Sequence, residues 1–318
     1  MKSLLNQHKR RSPLTGPGAD QAFTHLASPK IKSRVRLAHL TVRVREWAQT
    51  YVGLPVGRIF LRRWLHGARG AGAVERFGLP RHNIGECLEA EALTLHVDPR
   101  KLIRSVDFVP SGQEMHPSPL AFIWDGDWDL RRADLRAGSR YRLISELDEN
   151  RHQLHLTERY RELMTCIEQG EPWASHQHAA FLDEPQRIIE YLNVYVHFLD
   201  NMAEHGYDAS RPGDELGVAI SRDGRILKIS RGLHRLAIAQ RVGLPSIPVR
   251  VRAVHRLWWN QVTDGATGEL ALKRMVEALR ACVPEEEPGP LDEEPLANLP
   301  ADFWPQPRYA MRPSGDER

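Results

Sequence analysis

Apolar positions recur at helical spacing along much of this chain. From about Ile31 to Tyr51 the stripe is Leu37, Leu40, Val44, Trp47 and Tyr51, with arginines over much of the remaining surface. A second segment, VGRIFLRRWLHGARGAG, sets Ile59, Phe60, Leu61, Trp64 and Leu65 beside Arg58, Arg62 and Arg63, and Gly67, Gly70 and Gly72 end it. Residues 155–169 place Leu156, Tyr160, Leu163 and Ile167 on one face, with Gly170 as the stop. The clearest helix is 184–205, where Ile188, Leu192, Tyr195, Leu199 and Met202 form the stripe and Gly206 is set for the C-terminal cap. Residues 234–242 carry Leu236-Ala237-Ile238-Ala239, apolar on all sides, which predicts a buried helix closed by Gly243. A further helix is expected over Glu269–Ala281.

Other stretches read as strands. ALTLHVDP (92–99) is a short strand stopped by Pro99, and AFIWDGDWDL (121–130) is a strand entering a tight turn. The runs Leu216–Ile220 and Ile226–Ile229 flank Arg222-Asp223-Gly224, a hairpin signal. SIPVRVRAV alternates Val249, Val251 and Ala253 against Arg250 and Arg252, as a one-sided strand does. Helices mixed with strands and a hairpin give an α+β class.

Charge divides the chain. Residues 1–82 hold 16 Lys/Arg and 3 Asp/Glu, whereas residues 284–318 hold 3 Arg and 9 acids; the whole chain is only +3. The basic end suits nucleic acid, an anionic membrane surface or the protein's own acidic tail. The alternative for the two basic helical segments is a lid packed on the main domain with a solvated basic face. The expected organisation is residues 1–30 without fixed structure, a basic helical extension over 31–85, a mixed α+β domain over 86–282, and a disordered, acidic, Pro-rich tail over 283–318, apart from docking of Phe303 and Trp304. No apolar run approaches the roughly 18 residues that span a membrane, and the N-terminus lacks the apolar segment of a secretory signal. Cys87, Cys166 and Cys282 stand far apart with no CxxC pair, against a zinc site or a disulfide framework. The expected compartment is the cytoplasm.

The chemistry concentrates in SRGLHRLAIA. Arg231, His234 and Arg235 stand at a predicted helix start, where each cation costs roughly 0.3–1 kcal/mol against the exposed N–H groups. A bound phosphate resolves the conflict: Gly232 lets the backbone approach, Arg235 supplies a bidentate fork, and Arg231 and His234 add donors. The alternative is Arg235 paired with Asp223, Asp127 or Asp200 and His234 bonded in the core. In WDGDWD the alternate Asp125, Asp127 and Asp129 suit Mg²⁺ with phosphate oxygens, or a catalytic base. The alternative is a turn held by local hydrogen bonds, with Trp124 and Trp128 filling core. His176 and His178 form a weak metal signal. His255, Arg256, Trp258 and Trp259 could stack on a base or sugar, or the tryptophans could cover a sheet edge.

The order of helix, Gly, hairpin, GLHR, buried helix, Gly-Leu and IPV strand, over roughly residues 185–258, resembles the ParB/sulfiredoxin-like superfamily. Gly126-Asp127-Trp128-Asp129, Gly206-Tyr207, His234–Ala239 and His255-Arg256-Leu257-Trp258 are also similar to an uncharacterised archaeal and bacterial group within it, which extends the likeness to about residues 93–260. The resemblance implies a mixed sheet with surrounding helices and a loop before the buried helix that cradles nucleotide phosphates, from ATP or CTP with Mg²⁺. On that reading Arg231, Gly232, His234, Arg235, His255 and Trp258 bind the nucleotide, and Asp127 and Asp129 are the candidates for catalysis. Two departures narrow it. Leu233 stands where a sulfiredoxin has its cysteine, which removes thiolate chemistry. The chain after Trp259 is too short for the helix-turn-helix and dimerisation domains of a partition protein. The leading expectation is a nucleotide- or phosphoester-binding protein, with small-molecule phosphotransfer as one outcome. The others are a nucleic-acid-binding module using residues 1–82 and a non-enzymatic scaffold with a vestigial pocket.

Overall fold

A computed structural model describes residues 22–31, 40, 41, 43, 44, 47–108, 117–175, 180–208, 215–292 and 304. The helices are α1 (Leu54–Leu65), α2 (Ala71–Arg76), α3 (Arg81–Cys87), α4 (Ser139–Glu149), α5 (Glu158–Glu168), α6 (Pro185–His205), α7 (Leu233–Val242), α8 (Arg256–Thr263) and α9 (Gly268–Leu279). The strands are β1 (Thr94–Val97), β2 (Arg104–Val106), β3 (Ile123–Trp124), β4 (Arg132–Asp134), β5 (Trp173–Ala174), β6 (Phe181–Leu182), β7 (Leu216–Ile220), β8 (Arg225–Ser230), β9 (Ile247–His255) and β10 (Val283–Pro284).

Eight strands form one mixed sheet in the order β1-β9-β7-β8-β2-β4, with β3 added beside β9 and β10 beside β8. β7 and β8 are the predicted antiparallel hairpin, turning at Gly224 with φ 76°. β7 and β9 run parallel, Leu216 opposite Val249 and Ile220 opposite Val254, so the buried α7 is their crossover. One face of the sheet carries Val218, Ile220, Ile226, Val249 and Val251 into the main core, which includes Ile188, Leu192, Tyr195 and Leu199 of α6 and the apolar run of α7. The other face carries Ala219, Leu227 and Ala253 against Trp124 and Trp128. This is the expected mixed sheet with surrounding helices. β2, β4 and α4 carry no strong periodic signal and owe their form to the partners they meet.

Three expected boundaries are corrected. Residues 22–30 are ordered: Phe23 and Leu26 are fully buried, and the Phe23 ring packs 5.5 Å from Tyr191 and 5.9 Å from Tyr195. Two apolar side chains in a polar stretch suffice to seat it. Residues 283–292 are not free tail. Val283 and Pro284 pair with β8, buried Glu285 accepts from Arg132 Nη1 at 2.7 Å, and Arg104 Nε donates to the Glu286 carbonyl at 3.0 Å. The Glu285 carboxylate and the Glu286 backbone thus sit on arginines of β4 and β2. Nor does a boundary fall at residue 85: the Phe122 and Ile123 N–H groups donate to the Gly78 carbonyl at 2.8 and 2.7 Å. Glu75 of α2 also accepts indole N–H bonds from Trp64 at 2.7 Å and Trp259 at 3.0 Å. Trp304 packs on Tyr141 with ring centres 5.3 Å apart, as the docking expectation held; Phe303 lies outside the described residues.

Candidate functional site

The Gly232 turn joins β8 to α7. Arg231 and Gly232 are both left-handed, at φ 45° and 73°. A Cβ on residue 232 would lie 2.5 Å from Leu216 Cδ2, so only glycine fits without displacing a buried side chain. Arg231 tolerates a conformation that disfavours side chains, and Lys228 holds it there: the fully buried Lys228 Nζ donates to the Arg231 carbonyl at 2.6 Å. Burial, with Arg252 nearby, pulls the Lys228 amine down to about 7.

His234 and Arg235 are both engaged by other parts of the protein. The His234 ring is buried on Tyr195, centres 5.3 Å apart; burial and the positive Arg140 and Arg159 hold it well below its ordinary value, so it is a neutral core imidazole. Arg235 is 8% exposed, stacks 4.1 Å over the Tyr207 ring and donates to the Asp208 carbonyl. A helix-start arginine is thus accommodated by a carbonyl and an aromatic face, a pairing that sequence reasoning did not weigh.

The aspartates stand at the other end of the hairpin. The six residues of β8 separate the two ends by roughly 17 Å. Asp129 is fully buried; it accepts the Arg222 backbone N–H at 2.7 Å, Nε at 3.0 Å and Nη2 at 2.8 Å. Asp127 accepts from the same Nη2 at 2.7 Å, and these carboxylates raise the Arg222 guanidinium well above its ordinary value. Asp125 pairs with Arg256 instead. His255 is buried beneath Trp128, ring centres 5.6 Å apart. Its Nδ1 accepts the Leu257 N–H at 3.0 Å, which leaves Nε2–H to donate to the Gly126 carbonyl at 2.9 Å. Trp258 is buried, its indole against the glycine of the hairpin turn. Asp127 and Asp129 thus latch Arg222, and His255 and Trp258 are packed inside the protein, the arrangement of the turn-and-core alternative. Among the described residues no group of three potential metal ligands forms; His176 and His178 lie outside them.

What gathers near the Gly232 turn is a set of cations from distant segments. Arg81, at the start of α3, is pulled below its ordinary value by burial, then by Arg252 and by Arg231. Arg252 is lowered by burial and by Arg250 and Arg231, while Glu215 accepts from its Nη2 at 2.7 Å. Arg250 reaches from β9 toward Gly85 of α3. The buried Arg81 Nε has no hydrogen-bond partner among the described residues, and Arg81 and His82 lie in the wall of a groove of about 740 Å³. Of these, Arg231 was legible from the motif. Arg250 and Arg252 were legible only as the polar side of a strand. Arg81 gave no signal, since its neighbours are some 150 residues away in sequence. No protein-family model, curated protein or solved structure matches the chain.

Proposed function

We propose that this protein binds a phosphorylated small molecule, a nucleotide or another phosphoester, with its oxyanion held among Arg81, Arg231 and Arg252 beside the Gly232 turn. The observation that carries the reading is Arg81: a buried guanidinium N–H without a partner among the described residues, at the wall of a groove and within the positive fields of Arg252 and Arg231. An unsatisfied buried donor costs about 1–3 kcal/mol. Like charges brought together add to that cost, and one oxyanion relieves both. The likeness to the ParB/sulfiredoxin-like loop supports the same ligand class, but with a different donor set: Arg81 and Arg252 take the part expected of Arg235 and His234. Asp127 and Asp129 have no role in this reading, so it includes no Mg²⁺ site and no phosphotransfer step.

The test is a thermal-shift series with inorganic phosphate, pyrophosphate, ADP, ATP and CTP. Saturation at a hundred times Kd should stabilise the protein by about 2.7 kcal/mol. Arg81→Gln and Arg231→Gln should each abolish the shift in proteins that still melt cooperatively. No shift with any of the five compounds would refute the proposal.

A further inference from the structure

The stripe that predicts a packed helix over residues 31–51 is, where described, not packed. Leu40, Val44, Trp47 and Tyr51 are all more than half exposed. The helical path continues through a π-helical turn, Gln49–Gly53, into α1. There Leu61 and Trp64 face the core, while Val56, Ile59 and Phe60 form a second apolar stripe facing outward. Phe77, just after α2, is 87% exposed. Nine of the fifteen large apolar side chains exposed among the described residues fall between positions 40 and 77; Trp47 packs on Tyr51, and Val56, Ile59, Phe60 and Phe77 line one groove. The same stretch holds seven arginines and two acids, and one of those acids, Glu75, is occupied by two indoles.

We infer that this face docks on an anionic lipid bilayer, lying in the interface with Trp47, Tyr51, Ile59 and Phe60 among the acyl chains and Arg43 and Arg62 at the headgroups. Charge selects this occupant. A symmetric pair of chains meeting through the patch would set two net-positive surfaces against each other. Nucleic acid would satisfy the arginines and could stack on Trp47, but it offers nothing to Val56 or Ile59. An anionic bilayer satisfies both sets at once. This inference stands on exposure and charge and does not rest on the oxyanion reading, although Val56, Ile59, Phe60 and Phe77 line the same groove as Arg81.

The experiment is co-sedimentation of the full chain with vesicles of phosphatidylcholine, with and without phosphatidylglycerol. Binding is expected only with phosphatidylglycerol, weakening as salt rises. The triple variant Trp47→Ser/Tyr51→Ser/Ile59→Ser should melt like the parent and lose about tenfold or more in partitioning. Arg43→Gln/Arg62→Gln should lose a comparable factor of about ten. Failure of the parent to bind phosphatidylglycerol vesicles overturns the inference, as does unchanged binding by the triple variant. It is equally overturned if the parent instead forms a dimer, or binds generic RNA, and the triple variant abolishes that association.

Discussion

Asp129 and Arg222 form a closed pair: one fully buried carboxylate takes the arginine's backbone N–H at 2.7 Å, its Nε at 3.0 Å and its Nη2 at 2.8 Å. The two residues tie the loop after β3 to the turn between β7 and β8. Asp127 shares the same guanidinium from a more exposed position. A motif that reads as metal or acid–base chemistry is therefore an internal joint of the sheet.

Replacing Asp129 with alanine should cost about 3 kcal/mol, because it leaves the guanidinium partly buried without its main acceptor. Asp127→Ala, at the exposed partner, should cost about 0.5 kcal/mol. Urea unfolding of the two variants checks the contrast. Equal, small effects would mean that the buried pair is not a structural joint.

Glu285 and Arg132 should behave likewise. Both side chains are nearly buried and meet at 2.7 Å. Glu285→Ala is expected to lower stability by about 3 kcal/mol, although its position lies in a segment that reads as solvated tail. A melting temperature equal to the parent's would show that residues 283–292 do not hold the sheet edge.

Lys228 should give the fold a specific pH dependence. Its amine titrates near 10.5 when exposed and near 7 in the folded protein. Below pH 7 both states are protonated, and the folded state bears the whole cost of a buried charge. Between 7 and 10.5 the unfolded chain binds the additional proton, so this group's contribution raises stability as pH rises through that window. Lys228→Met should flatten the slope of unfolding free energy against pH there, and chemical denaturation at several pH values measures it.

Gly232→Ala should destabilise the protein by about 1–3 kcal/mol, from a left-handed backbone and a Cβ forced against Leu216. It should also weaken any phosphate binding, since the turn would shift. Gly126→Ala serves as the comparison: its φ of 89° carries the same backbone strain, but no atom lies near its added Cβ. The excess loss at 232 isolates the steric part.

Local pattern was enough for α5, α6, α7, β9 and the β7–β8 hairpin, because periodicity and glycine stops are properties of a few successive residues. It also singled out Gly232 as a point of close backbone approach, but the left-handed turn at Arg231-Gly232 came only with the structure. Which cations gather near that turn was not available there. His234 and Arg235 stand beside Gly232 in sequence, yet α7 turns one onto Tyr195 and the other onto Tyr207. Arg81, far away in sequence, is placed by its backbone bond to Leu120 and the Pro80–Ala121 bridge, just before β3, which pairs with β9.

The same limit applies to the apolar stripe of Leu40, Val44, Trp47 and Tyr51. Spacing showed that one helical face is apolar, but not that this face would be left outside. Sequence by itself determined the strongly periodic elements, the glycine at 232 and the uneven charge, all of which follow from short-range sterics and composition. Tertiary structure alone decided which charges pair, as Asp129 with Arg222 and Glu215 with Arg252, and which cations are brought near each other, as Arg81 and Arg252. The physical reason is that desolvation and Coulomb energy depend on distances through space, which folding sets and chain order does not.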